Sequence, residues 1–313
     1  MTVAFVFPGQ GAQKAGFGTA WVEADPTFFA EASAATGVDV AHLVRDASDD
    51  ELRRTDRAQL ATAACSLAGW RTLREAGVDA DLVAGHSVGE LAAFVAAGAM
   101  GFRAGLRLVG ARGRAMATAA AAHPGTMAAL VGVDRNEAEA ACAGAGGLAT
   151  VANLNAPDQV VVAGTSDAVV AAAAAVRRPG VRVVPLNVGG AFHSPLMAGA
   201  VAPFARAVVE AGIADAALPV VCNVDGRPHT RAAVLVPLLV AQLCSPVEWV
   251  ASVRTLAATG VDTVVEVGSG VLTRLLRRQL PGVRLLSVAT PADVDAAVTA
   301  LRDGQRPAAV ASG

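Results

Sequence analysis

A serine flanked by glycines is the feature of this chain that points most directly to chemistry. Ser87 is the centre of Gly85-His86-Ser87-Val88-Gly89, between an apolar stretch that predicts a strand and an alanine-rich stretch that predicts a helix. The glycines on either side allow the tight turn of a nucleophile elbow, which exposes the serine hydroxyl to substrate. The start of the next helix supplies unpaired N–H groups that stabilise a developing oxyanion. The motif predicts a nucleophile for acyl chemistry, and by itself it would suit a lipase equally well.

A serine nucleophile needs a base, and the chain has five histidines. Three of them lie in polar or loop-like stretches and are expected to be ordinary surface or capping residues: His42, His123 and His229. His86 adjoins Ser87, but consecutive residues at a tight turn point in different directions, so we expect it to pack against the site or tune it. His193 lies where a predicted small domain returns to a larger one, and clefts between domains often hold catalytic groups. Its spacing alone leaves a catalytic and a structural role open.

The elements that must position these residues alternate between short apolar strands and alanine-rich helices. This alternation predicts an α/β fold with a parallel sheet covered by helices. Between residues 125 and 190 the order changes to strand, helix, two strands, helix and strand, which is the order of a ferredoxin-like unit. We therefore predict a large domain formed by residues 1–124 and 191–313, with a ferredoxin-like subdomain of residues 125–190 inserted into it.

The composition excludes several classes of protein. Of the 313 residues, 54% are hydrophobic and 17% are charged, which favours a compact globule over disorder. The net charge of −2 gives no electrostatic footprint for nucleic acid. The apolar stretches are shorter than the ~20 residues that a membrane span needs. The four cysteines lack the spacing of a zinc site, and we expect neither a disulfide framework nor a bound metal.

The apolar N-terminal stretch Val3–Phe7 lacks the features of a signal peptide. No positively charged region precedes it, and no small-residue cleavage site follows it. We predict that it forms a buried strand, and we expect a cytoplasmic location.

Six segments, in order along essentially the full chain, carry a family resemblance. They are Phe5–Gln13, Gly85–Glu90, Arg112–Arg114, Ala191–Met197, Gln242–Trp249 and Glu266–Leu272. With these segments the chain resembles the malonyl-CoA:acyl carrier protein transacylases, the acyltransferases of fatty acid and polyketide synthesis. The resemblance implies an α/β-hydrolase-like large domain interrupted by a ferredoxin-like subdomain, which agrees with the order of elements above.

The resemblance also implies how the serine is activated. Ser87 and His193 would form a dyad without a carboxylate, in which the backbone carbonyl of Gln242 fixes the tautomer of the histidine. The N–H groups of Val88 and Gln10 would form the oxyanion hole. Without the resemblance, the stretch around Gln10 would be interpreted as an ordinary turn after the first strand.

The predicted substrate-binding residues are Arg112, Phe192 and Gln242. Taken alone, Arg112 would be interpreted as a solvated arginine, whereas the resemblance places it in the acyl pocket. There its guanidinium would bind a malonyl carboxylate through two parallel hydrogen bonds. Phe192 resembles malonyl-selective members, but Gly190-Ala191 replaces the His-Ala of many malonyl-selective polyketide modules. Methylmalonyl or another extender unit therefore stays open.

The predicted reaction is ping-pong transfer of a malonyl group from malonyl-CoA to the phosphopantetheine thiol of an acyl carrier protein, through a malonyl-serine. No cofactor is expected beyond the CoA thioester and the phosphopantetheine of the carrier, and we expect a monomer without nucleic-acid or membrane partners. The alternatives are a discrete polyketide acyltransferase for another extender unit, a hydrolase that clears stalled carrier proteins, and an inactive docking protein. Arg112 argues against the hydrolase, which should accept neutral acyl chains.

The acyl carrier protein is expected to be acidic, so a basic surface is expected to receive it. Two arginine clusters are candidates, and an ordinary solvated face is the alternative for each: Arg177, Arg178 and Arg182, and Arg274, Arg277 and Arg278.

Overall fold

The computed structural model describes residues 1–305, whose strands and helices are numbered here in chain order. Residues 306–313, which belong to the predicted range of the large domain, lie outside the described residues. The strands are β1 (Val3–Phe7), β2 (Leu82–Gly85), β3 (Thr126–Val131), β4 (Ala149–Ala156), β5 (Gln159–Gly164), β6 (Arg182–Pro185), β7 (Val220–Val221), β8 (Pro228–His229), β9 (Thr263–Val267) and β10 (Arg284–Val288).

The helices vary from four to 21 residues in length. They are α1 (Thr19–Ala24), α2 (Pro26–Thr36), α3 (Val40–Arg45), α4 (Asp49–Leu52), α5 (Thr55–Glu75), α6 (Gly89–Ala96), α7 (Phe102–Ala122), α8 (Arg135–Ala143), α9 (Ser166–Ala175), α10 (Ala198–Ala211), α11 (Ala232–Ala241), α12 (Trp249–Ala258), α13 (Val271–Leu276) and α14 (Ala292–Gln305). Within residues 1–305, no helix combines the length and the apolar character that crossing a membrane requires.

The larger sheet has the strand order β10-β9-β1-β2-β7-β8. All neighbours run parallel except β7 and β8, so the sheet is parallel with one antiparallel edge. All five residues of β1 and all four of β2 are buried, as expected for central strands covered by helices on both faces. The mixed α/β fold with a parallel-rich sheet confirms the predicted fold class.

The smaller sheet is antiparallel, with the order β4-β5-β3-β6. Its elements follow the predicted order of strand, helix, two strands, helix and strand, and its strands lie between residues 126 and 185. Helices α8 and α9 pack with it around their own apolar cluster. The edge strand β4 is also tied to the larger unit, because Leu154 N–H donates to the Val247 carbonyl and Val247 N–H donates to the Ala152 carbonyl, both at 2.9 Å.

The register of the two central strands brings two distant loops together. Phe7, the last residue of β1, is paired with Gly85, the last residue of β2. Because parallel strands end at the same edge of a sheet, the loop after β1 and the turn after β2 emerge side by side. The loop contains Gln10 and the turn contains Ser87.

Candidate active site

The turn after β2 is an elbow in which Ser87 adopts a left-handed backbone conformation, with φ of 54°. A Cβ on Gly85 would lie 2.1 Å from the carbonyl carbon of Gly89, and a Cβ on Gly89 would lie 2.1 Å from the Phe7 carbonyl oxygen. Neither position can therefore carry a side chain. A left-handed backbone conformation is unfavourable for a serine, and the close packing at the two flanking glycines holds Ser87 in this conformation.

Asn223 holds the elbow from the loop after β7. Its Oδ1 accepts the Ser87 N–H at 2.7 Å, and its Nδ2 donates to the Gly85 carbonyl. Asn223 is fully buried. Asn223 could not be identified from the sequence alone, because nothing local to it indicates that β7 ends beside β2.

His193 lies where the predicted dyad requires it. Its Nε2 is 2.7 Å from Ser87 Oγ, and its Nδ1 is 2.9 Å from the Gln242 carbonyl oxygen. A carbonyl can only accept, so it assigns the proton to Nδ1 and leaves Nε2 free to accept the serine proton. His193 also adopts a left-handed conformation, with φ of 57°.

The environment of His193 keeps its imidazole neutral. Burial, and secondarily the positive charge of Arg112, lower the pKa of His193 to about 3. A neutral imidazole is the form that acts as a general base, so His193 needs no prior deprotonation at neutral pH.

Arg112, on α7, is buried beside Ser87 with 1% of its surface exposed. Its Nη2 donates to Ser87 Oγ at 3.2 Å and to Gln242 Oε1 at 2.7 Å, and its Nη1 donates to Gln59 Oε1 at 2.6 Å. Burial lowers its pKa to about 10, against the attraction of Glu90, so it stays charged at neutral pH. The alternative of a solvated arginine is therefore wrong, and Gln59 is a further partner that the sequence analysis missed.

Gln10 and Val88 lie on the two segments that emerge together at the end of the sheet. Val88 directly precedes α6, where the first N–H groups of a helix lack intrahelical partners. A Cβ on Gly9 would lie 3.0 Å from the His86 carbonyl oxygen, which shows how closely the loop after β1 approaches the elbow. The side chain of Gln10 is held by Thr55, whose hydroxyl donates to Gln10 Oε1 at 3.0 Å.

Phe192 precedes His193 and is buried, with 5% of its surface exposed. A Cβ on Gly190 would lie 2.6 Å from the Ala120 Cβ and 3.2 Å from Cε1 of Phe192. The close approach of this segment to α7 therefore leaves no space for a side chain at position 190.

His86 occupies the position between the elbow and the smaller sheet. Its Nε2 lies 2.8 Å from Oδ1 of Asn155, at the end of β4, and its ring meets the Trp249 ring edge to face at 5.5 Å. Burial lowers the pKa of His86. It packs between the two units, and the imidazole that lies within hydrogen-bond distance of Ser87 Oγ is that of His193.

The two arginine clusters are both exposed, and each has one member in an ion pair. Arg178 pairs with Glu137 at 2.7 Å, and Arg278 pairs with Asp158 at 2.7 Å.

The comparisons with known proteins agree along nearly the whole chain. Residues 4–294 match the acyl transferase domain family. The malonyl CoA-acyl carrier protein transacylase of Bacillus subtilis is 35% identical over 309 residues, which cover 96% of this chain and 98% of that protein. The enzyme of the same name from Salmonella typhimurium is 38% identical over 304 residues, which cover 95% and 98%. A solved malonyl-transacylase in complex with a holo type II polyketide acyl carrier protein is similar with a TM-score of 0.91 and 35% identity, covering 96% of this chain and 100% of that one.

Proposed function

The chain belongs to the acyl transferase domain family, and we propose that it transfers a malonyl group from malonyl-CoA to the phosphopantetheine thiol of an acyl carrier protein, with Ser87 as the carrier of the acyl group. The observation that carries this proposal is the position of Arg112. Its guanidinium lies 3.2 Å from the serine oxygen that would hold the acyl group. In a malonyl ester a single CH₂ separates the ester carbonyl from the free carboxylate, so the substrate is long enough to reach this cation.

In the first half-reaction, Ser87 Oγ attacks the thioester carbonyl while its proton passes to His193 Nε2. The new Oγ–C bond forms, the C–S bond to CoA breaks, and the proton on Nε2 moves to the leaving sulfur. The Gln242 carbonyl accepts a hydrogen bond from Nδ1–H and stabilises the transient imidazolium, as the aspartate carboxylate does in a Ser-His-Asp triad.

We assign the oxyanion hole to the N–H groups of Gln10 and Val88. Backbone donors are fixed before the reaction begins, and losing one such donor costs about 3 kcal/mol of transition-state stabilisation. The register of β1 and β2 supports this assignment, since it brings the two loops to one edge of the sheet.

In the second half-reaction, the carrier's thiol gives its proton to His193 Nε2 and its sulfur attacks the malonyl-serine. The S–C bond forms, the Oγ–C bond breaks, and the proton returns from Nε2 to Ser87. These steps need no cofactor beyond the CoA thioester and the phosphopantetheine of the carrier. The similar solved structure of a malonyl-transacylase with its acyl carrier protein supports the choice of acceptor.

The arginine cluster that receives the carrier is a separate proposal. Both clusters expose arginines without an ion pair among the described contacts: Arg177 and Arg182 in one, and Arg274 and Arg277 in the other. We propose that unpaired arginines of this kind meet the acidic carrier. We also propose that the enzyme is a cytoplasmic monomer that acts without nucleic acid or a membrane.

Methylmalonyl-CoA is the first alternative substrate. Phe192 borders the histidine and would crowd an α-methyl group, but one methyl group is worth only about 1 to 3 kcal/mol of discrimination. A hydrolase of carrier-bound acyl chains is the second alternative, and the buried Arg112 opposes it because a neutral acyl chain offers no charge to pair with.

The test is intact-mass measurement after brief exposure to malonyl-, methylmalonyl- or acetyl-CoA, for the parent and for Ser87→Ala. We expect a malonyl adduct on the parent only, and its disappearance with acylation of the carrier when a holo acyl carrier protein is added. An equal yield of adduct from acetyl-CoA would contradict the role of Arg112. An adduct on Ser87→Ala would contradict the nucleophile, and release of free malonate in place of carrier acylation would favour the hydrolase.

A further inference from the structure

Glu90 is a buried carboxylate in the first turn of α6, three residues after the nucleophile. Only 1% of its surface is exposed. Its Oε1 accepts the backbone N–H of Asn223 at 2.8 Å, and its Oε2 accepts from Nε2 of Gln242. The carboxylate thus contacts the backbone of Asn223 and the side chain of Gln242, and neither contact takes part in the mechanism above.

Gln242 connects Glu90 to the residues that act on substrate. At one end of its amide, Nε2 faces three oxygen acceptors: Glu90 Oε2, the Ser87 carbonyl at 3.0 Å and Asn223 Oδ1 at 3.4 Å. At the other end, Oε1 accepts Nη2 of Arg112 at 2.7 Å. An amide has donors at one end and an acceptor at the other, so the acceptors around Nε2 decide which end faces Arg112.

We propose that Glu90 is a positioning residue for acyl selectivity: it fixes the orientation of the Gln242 amide, and Gln242 in turn holds the Arg112 guanidinium beside Ser87. This inference rests on the proposed malonyl transfer, in which Arg112 binds the free carboxylate of the acyl group. Glu90 itself touches neither substrate nor the reacting atoms.

The two neighbours of Glu90 explain why a carboxylate is needed there. The Asn223 N–H and the Gln242 Nε2 are both donors, and a carboxylate meets both of them with acceptors. A glutamine at position 90 could offer its single oxygen to only one. The Asn223 N–H belongs to the backbone and stays in place, so the NH₂ group of the substituted side chain would face Nε2 of Gln242. Gln242 Nε2 would then lose one of its acceptors and face a donor instead, which weakens the preference for the orientation that presents Oε1 to Arg112.

The charges of Arg112 and Glu90 also support a connection between them through Gln242. The hydrogen-bond partners of Arg112 among the described residues are neutral: two amide oxygens and the serine hydroxyl. Burial raises the pKa of Glu90 to about 7, and the positive Arg112 is among the groups that oppose this rise. In its ionised form, Glu90 compensates the buried cation through an intervening amide. Neutral partners hold the guanidinium without giving it a direct counter-ion, so its charge stays available to the malonyl carboxylate.

The experiment compares Glu90→Gln with the parent by the rate at which the Ser87 adduct forms from malonyl-CoA and from acetyl-CoA. We expect malonylation to slow about tenfold to a hundredfold, the range for losing a hydrogen bond to a charged group, with acetylation changed less than about threefold. The matched control is Glu266→Gln. Glu266 is also fully buried and also accepts a backbone N–H, that of Thr273 in the first turn of α13, at 2.7 Å, but it lies on β9. Its ratio of malonylation to acetylation should equal that of the parent.

An unchanged ratio of malonylation to acetylation in Glu90→Gln would overturn the proposal. This includes a loss of both rates by the same factor, which would indicate a purely structural role. Glu90→Asp keeps both acceptors on a shorter side chain, and we expect it to recover part of the malonyl preference lost in Glu90→Gln. A ratio no better than that of Glu90→Gln would contradict the argument from acceptors.

Two further variants keep the test decisive if Glu90→Gln does not fold. Gln242→Leu removes the connecting amide and leaves the carbonyl that holds His193, and retained malonyl preference in this variant would overturn the proposal. In an Arg112→Ala background, Glu90→Asp should cause no further change in the ratio, and an additional change would show that Glu90 acts by another route. A parent without malonyl preference would instead overturn the proposed function, so the two failures are distinguishable.

Discussion

Ser87 and His193 lie in two segments that reach the same unusual backbone conformation by different means. Among the described residues they are the two non-glycine residues with positive φ, at 54° and 57°. The serine segment is constrained sterically, since a Cβ on Gly85 would clash with the backbone of Gly89 and a Cβ on Gly89 would clash with the backbone of Phe7 in β1. The histidine segment depends on contacts formed in the tertiary structure, above all the hydrogen bond from Nδ1 to the carbonyl of Gln242, 49 residues away.

The difference indicates how each half of the dyad can fail. Steric crowding is hard to relax, because backbone atoms of β1 and the elbow would have to move. A hydrogen bond across segments can be weakened while the backbone around it stays folded. We therefore expect substitutions in the elbow to have all-or-none effects and substitutions around His193 to have graded ones.

The largest effect is expected from Gly89→Ala. The added Cβ would lie 2.1 Å from the Phe7 carbonyl oxygen, so the elbow must separate from β1. We expect destabilisation by about 3 kcal/mol or more, the upper range for overpacking, together with loss of Ser87 acylation. Thermal unfolding and intact-mass measurement check both effects.

The control for Gly89→Ala is Gly101→Ala, in which the added Cβ meets nothing within 4 Å. We expect its stability to stay within about 0.5 kcal/mol of the parent. A folded and active Gly89→Ala protein would show that the elbow is not sterically fixed.

The contrast between the serine and histidine segments also explains which residues of the site could be predicted from the sequence. The glycines that allow the turn at Ser87 lie only two positions to either side of it, so Gly85-His86-Ser87-Val88-Gly89 was enough to indicate a candidate nucleophile. The alternation of strands and helices likewise predicted the two sheets, because each element is encoded by its own stretch of chain.

Contacts between distant segments were beyond local patterns. The position of His193 in the sequence left both a catalytic and a structural role open. Without the family resemblance, Arg112 would have been interpreted as a solvated arginine. Asn223, Gln59 and the connection of Glu90 to Gln242 were missed, since they depend on which strand ends and helices the fold brings together. Glu90 was visible within the elbow motif, but its partner lies 152 residues away.

A smaller, graded effect is expected from Ser194→Ala. The Ser194 hydroxyl donates to the Ala191 carbonyl at 2.6 Å and accepts the Leu196 N–H at 3.3 Å, so it shapes the turn that carries His193. Losing these bonds should cost about 1 kcal/mol and slow acylation by severalfold, with the elbow unchanged. The check is the rate of malonyl-adduct formation beside thermal unfolding. Complete inactivation of a folded variant would mean that the histidine segment is as intolerant as the elbow.

The most direct test of the dyad is the protonation state of His193 as a function of pH, measured by ¹⁵N NMR of the labelled imidazoles and assigned with His193→Gln. Because burial and Arg112 lower the pKa of His193, the ring should stay neutral as the pH falls through about 6.5, the ordinary histidine pKa. We expect a single neutral tautomer, with the proton on Nδ1 and Nε2 unprotonated, down to at least about pH 5. Titration of His193 near its ordinary pKa, or a proton resident on Nε2, would contradict it.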